Sequence, residues 1–192
     1  MKKILKIEVS DEMRERATIE AEKRDAHIKH HFEVEHLSYE ERDALGFIGE
    51  FACCELLGLD WKDNIRDNYR TIDDFDFSLG DKKIDVKTET VPPNYARKIL
   101  RKEIGDNELY GRRLINKGQF KLLNKYDIVI FSLFVRENLD YWFPIGYIET
   151  NIILKEYKPT KKRPDGGYYP FSACPVPTSI LKPITDLMSV NN

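Results

Sequence analysis

The chain has 192 residues, 41% of them hydrophobic and 33% charged, with 31 Lys and Arg against 33 Asp and Glu. This balance suits a globular domain with a substantial core, and a net charge of −2 excludes recognition of a partner by overall basicity. Three cysteines, two of them adjacent (Cys53, Cys54), form neither a disulfide framework nor a zinc pattern. No apolar run is long enough for a bilayer, and MKKILKIEVSDEM lacks a signal peptide's apolar stretch. The expectation is a cytoplasmic, intracellular protein with reduced thiols and no membrane contact.

The first expected element is a short strand over residues 4–9. Ser10 then caps a polar helix that runs to about residue 28, with Met13, Ala17, Ala21 and Ile28 as its few apolar points. So polar a helix reads as an arm, a dimer contact or a lever facing a partner, which divides the chain into an arm at 1–37 and a domain at 38–192. His27, His30, His31 and His36 follow. His27 and His31 have the i, i+4 spacing of metal ligands, but no third ligand motif accompanies them, and a solvated cluster is the simpler reading.

The strongest helix spans 38–57. Ser38 and Glu41 make a capping box and Gly58 a stop. Between Ala44 and Leu57 the sequence is apolar or small on nearly every side apart from Glu50 and Glu55, so the helix is predicted to be buried. A carboxylate carried into such a place needs a cationic partner, and spacing does not choose between the two. Gly46 and Gly49 cost helix stability, which predicts close packing against another backbone, most simply a sheet.

Asp76–Lys87, DFSLGDKKIDVK, reads as a tight hairpin about a Gly80-Asp81 turn. A two-residue loop pairs Leu79 with Lys82 and sets Asp76 opposite Asp85, with Lys87 on the same face; a three-residue loop would set Asp76 opposite Val86. Facing like charges destabilise a hairpin unless a cation lies between them, and a divalent metal ion would serve, with Lys87 neutralising the remainder. The competing reading is an ordinary surface hairpin.

Val91-Pro92-Pro93-Asn94 breaks the chain. From 97 to 125 there are nine basic residues, including Arg97, Lys98, Arg112, Arg113 and Lys117, against three acidic ones (Glu103, Asp106, Glu108). That local excess fits a polyanionic partner more readily because it follows a candidate metal site. Helix is predicted at 95–103 and 112–124. A buried strand is expected over 126–135 and its hairpin partner over 141–148, where Pro144 requires an edge position or a bulge. Residues 157–183, rich in Pro, Gly and Tyr, read as an ordered loop with a short closing element.

The order of a helix with Gly49-Glu50, a strand with Asp76, a strand with Ile84–Thr88 (IDVKT), helix and strand resembles the PD-(D/E)XK nuclease superfamily over about residues 40–150. The literal Pro-Asp is absent, since Phe75 precedes Asp76. The Gln-xxx-Tyr motif of the exonuclease branch is missing too, since Leu123 stands where Gln119 would need a tyrosine. The resemblance implies an α/β fold: a restriction-endonuclease-like core with a central mixed β-sheet flanked by helices, here with an N-terminal helical arm. It further implies a metal-dependent endonuclease acting on DNA, in restriction, repair, recombination or mobile-element processing, and working as a homodimer. Asp76, Asp85, the Val86 carbonyl and Glu50 would hold Mg²⁺, with Mn²⁺ substituting, and Lys87 would orient the attacking water. Glu89 would be a supporting polar group, and Arg97, Lys98, Arg112, Arg113 and Lys117 would hold the DNA backbone. The alternative is a non-catalytic DNA-binding or assembly module that keeps the fold.

Overall fold

The computed structural model describes residues 4–25, 38–65 and 76–188; the histidines at 27, 30, 31 and 36 lie outside them. The chain enters through β1 (Ile7–Glu8), α1 (Asp11–Asp25) and α2 (Tyr39–Leu56). The hairpin β2 (Phe77–Leu79) and β3 (Lys82–Val91) follows, then α3 (Pro93–Leu100), β4 (Arg112–Asn116) and α4 (Lys117–Phe120). β5 (Ile128–Val135) and β6 (Asn138–Glu149) form a second hairpin, succeeded by α5 (Thr150–Glu156), β7 (Thr160–Lys162), β8 (Tyr168–Pro177) and α6 (Thr185–Met188). The described strands form a mixed sheet in the order β1-β6-β5-β3-β2 and a smaller sheet in the order β4-β8-β7. β3 and β5 run parallel, with α3 in the connection between them; the other pairings are antiparallel.

Helix α2 starts and stops as its sequence requires. The Ser38 hydroxyl accepts from the Glu41 N–H while the Glu41 carboxylate accepts from the Ser38 N–H, and Gly58 follows at φ 74°. α1 and α2 cover one face of the large sheet, in a core that joins Met13, Ala17 and Ala21 to Phe47, Phe51, Ile84, Val86 and Ile130. α1 therefore packs onto α2 instead of projecting as an arm. Met13, Ala17 and Ala21, four residues apart, make a narrow apolar stripe, and Glu20, also on the buried side, is neutralised by Arg16 and Lys23.

The other face of the sheet carries Val129 and Phe131, which pack against Ile115, Cys174 and Val176 of the second sheet and Ile153 of α5. Further along it, Val91 and Leu133 pack under Ala96 and Ile99 of α3. Two expectations fail here. Residues 112–116 are strand, not helix: Arg113 and Ile115 point inward, alternating with half-exposed Arg112, Leu114 and Asn116, and the segment pairs with β8. Helix over the rest of 112–124 shrinks to α4 and a single 3₁₀ turn at Leu123–Lys125. The presumed loop at 157–183 contains β7 and the ten-residue β8. Its prolines disguise the strand, but Pro175 and Pro177 lie beyond the residues that pair with β7, so their missing N–H groups leave that ladder intact.

Pro144 in β6 meets both conditions: β1 pairs with Tyr141 and Trp142 and stops short of it, and on the β5 side Phe131 pairs with Gly146 and Ser132 with Pro144, leaving Ile145 as the extra residue of a bulge.

Candidate active site

The β2–β3 hairpin has the two-residue turn, with Leu79 opposite Lys82 and Phe77 opposite Ile84. Gly80, at φ 60°, occupies the left-handed first turn position without a Cβ penalty. The ladder ends at Phe77 opposite Ile84, and Asp76 lies just beyond it, so the direct pairing of Asp76 with Asp85 expected from the sequence is not formed as a ladder pair. There the Asp76 N–H donates to the Ile84 carbonyl at 2.9 Å, and the Asp76 carboxylate accepts from the Val86 N–H at 2.7 Å. Asp76 thus replaces a strand partner with its side chain, which fixes a carboxylate beside Asp85.

β3 sorts its side chains between two environments. Ile84 and Val86 enter the core under α2. Asp85 and Lys87 lie level with Val129 and Phe131 of β5, on the face turned to the second sheet. Asp85 is only 3% exposed. Its Oδ1 accepts from Lys87 Nζ at 2.6 Å, whereas Oδ2 is buried with no hydrogen-bond partner. Burial pushes the Asp85 carboxyl up to about 6; Lys87 pulls it down and Asp76 pushes it up. Burial opposes the charge on Lys87, but Asp85 and Asp76 outweigh it and lift the amine above its ordinary value.

Glu50 is buried at 7% exposure and comes from α2, hence from the opposite layer. Burial raises the thiols of Cys53 and Cys54, the latter to about 12, and the charges of Glu50 and Asp76 raise both further. Asp76, at the sheet margin, is therefore the group whose charge reaches both Glu50's layer and the Asp85–Lys87 pair. Gly49 explains how α2 comes so close: a Cβ there would strike the Thr88 hydroxyl and lie 2.9 Å from its Cβ. The close approach is to a side chain on the sheet. Gly46 would meet nothing within 4 Å, so the packing expected of it is absent.

An orphaned carboxylate oxygen beside a second carboxylate fits a hard divalent cation that takes oxygen ligands. Asp85 and Asp76 are the side chains placed to hold it, with the Val86 carbonyl as a backbone donor. Among the described residues no three His, Cys, Asp or Glu side chains form a metal-holding group, so such an ion would keep much of its shell as water.

The basic residues divide. Arg97 and Lys117 are exposed, and Lys98 is exposed but paired with Glu108 at 2.6 Å. The Arg112 Nε donates to the Asp106 carbonyl at 3.1 Å, pinning the 105–111 loop. Arg113 departs from expectation. It is 1% exposed, with its guanidinium on Glu89 and the Tyr110 carbonyl, and burial brings its pKa down to about 9. An inward strand position withdraws it from any surface, and Glu89 is its structural partner. Two residues near the site went unnoticed in the sequence: Tyr126, close enough to Lys87 that its ionised form would act on the amine, and Ser132, hydrogen-bonded to Thr88 at 2.9 Å. The β3–β5 pairing brings Ser132 level with Thr88, and Tyr126 lies just before β5, so no local pattern could have marked either.

Comparison with protein-family models, curated proteins and solved structures found no match to this chain.

Proposed function

We propose that the chain is a metal-dependent DNA endonuclease with the restriction-endonuclease-like fold, hydrolysing phosphodiester bonds. The observation that carries this reading is the buried, unpartnered Oδ2 of Asp85, flanked by the Lys87 ammonium and by the Asp76 carboxylate on Val86 N–H. A fold has little reason to bury an unsatisfied carboxylate oxygen unless a ligand completes it. Mg²⁺ held by Asp76, Asp85 and the Val86 carbonyl would supply charge neutralisation and a more acidic water; Glu50, in the opposite layer, does not join that set.

Lys87 has a defined part. Because its neighbours keep it protonated, it acts as a donor rather than as a base, orienting the attacking water and balancing charge that builds on the phosphate. Asp85 Oδ1 holds that ammonium in place from two residues along the same strand face. Arg97 and Lys117 supply exposed charge for the phosphate backbone.

The test is cleavage of linear, circular, single-stranded, flapped and four-way-junction DNA with Mg²⁺ or Mn²⁺, alongside EDTA and Lys87→Ala controls. Metal-dependent cutting that Lys87→Ala abolishes is expected. No cutting of any substrate by folded protein, with DNA binding retained, would identify a non-catalytic DNA-binding module instead.

A further inference from the structure

We propose that the cleft beside Glu89 binds one unpaired nucleobase of the strand lying across Asp85 and Lys87; the proposal deepens the nuclease reading and rests on it. The cleft encloses about 200 Å³ between the end of β3, the 105–111 loop and the start of β8, and Glu89, Asn107, Tyr110, Arg112, Tyr168 and Tyr169 help to line it. Glu89 stands one side-chain step beyond Lys87 on the same strand face, about 6.6 Å away. A nucleotide whose phosphate lies at Lys87 therefore has its base within reach of the cleft.

The chemistry of the walls selects the occupant. Each carboxylate lining the cleft is held by a partner within the protein: Glu89 by Arg113, Asp106 by Ser179, Glu108 by Lys98 and the Gly105 N–H, and Asp165 by Arg163 and the Gly167 N–H. Arg112 is held on the Asp106 carbonyl. A phosphate would meet these carboxylates, and a cation would have to break their pairs. What remains is ring surface, together with the amide of Asn107. Tyr168 is 73% exposed, and Leu109, which also lines the cleft, is 44% exposed. These are two of the five large apolar side chains well exposed among the described residues, and a single cleft holds both. Tyr110 is a fixed wall: its backbone has φ 61°, its ring packs on Tyr95 at 4.9 Å and its hydroxyl accepts from Arg136. Aromatic faces with a few fixed polar groups suit a flat, uncharged heterocycle with a hydrogen-bonding edge.

The experiment measures the affinity of the full-length protein, in EDTA to prevent cutting, for single-stranded DNA oligonucleotides. These are either intact or carry one abasic position moved stepwise along the strand. Base stacking on an aromatic side chain predicts that one abasic position weakens binding about 5- to 150-fold. Tyr168→Ala, at a surface position that should not disturb folding, is expected to weaken intact-strand binding similarly and to erase the abasic effect, while Tyr168→Phe retains both. Equal affinity for intact and abasic strands, no binding of either, or Tyr168→Ala binding like the parent protein overturns the base site. Cleavage of the same oligonucleotides in Mg²⁺ is scored separately. Its absence beside a clear abasic effect would sink the hydrolase reading and leave the base site standing.

Discussion

Asp85 combines burial, an oxygen without a hydrogen-bond partner and a raised pKa in one carboxylate. Its folded pKa of about 6 lies above the ordinary value, so its contribution to stability is fully present below about pH 4. That contribution is lost as pH rises through 6, where the buried group must ionise. Under the proposed function, a divalent ion bound at Asp85 would replace the proton above that point. Mg²⁺ or Mn²⁺ should therefore raise the melting temperature little at pH 5 and clearly at pH 8, and Asp85→Asn should abolish the shift; calorimetry at both pH values decides it. Gly49 is the second decisive residue. Gly49→Ala should destabilise the protein by about 1–3 kcal/mol through collision with Thr88, despite its better helix propensity, and Thr88→Ala in the same chain should restore part of the loss in urea unfolding.

Among the elements, β4 shows how a strand can hide in a basic segment. The run Arg112-Arg113-Leu114-Ile115-Asn116 alternates inward and outward, but its first inward residue is an arginine, so hydrophobic periodicity misses it. The buried guanidinium is affordable because Glu89 and the Tyr110 carbonyl receive it. Arg113→Ala should accordingly cost stability at the low end of about 3–5 kcal/mol, since Glu89 retains 33% of its side-chain exposure; Arg113→Met should cost less. Denaturant midpoints for the two variants measure the difference. β8 is hidden for the opposite reason, since its prolines argue against a strand, yet Pro175 and Pro177 lie beyond its pairing with β7, and Pro170 falls at the irregular stretch of that pairing.

For the whole molecule, charge placement matters more than net charge. Arg97→Ala and Lys117→Ala should each weaken DNA binding uniformly across sequences and lower the slope of log affinity against log salt by about one phosphate contact. Arg113→Met should leave that slope unchanged. Fluorescence anisotropy across a salt series separates the two cases. The layered architecture also explains why one strand can serve two environments: even-numbered positions of β3 anchor the core under α2, and odd-numbered ones carry Asp85, Lys87 and Glu89 to the opposite face.

The sequence by itself determined the α2 boundaries, the hairpin register and the neighbourhood of Asp76, Asp85 and Lys87. These depend on caps, a Gly-X turn and period-two alternation, all interactions between residues close in the chain. Tertiary structure alone decided that α1 packs onto the core, that 112–116 and 168–177 are strands of a second sheet, and that Arg113 is buried. It also decided that Glu50 and Asp85 approach from opposite layers, and that Tyr126 stands near Lys87. Each of these depends on a partner far away in sequence. Burial of a polar side chain becomes tolerable only when such a partner arrives, and no local pattern announces where it will come from.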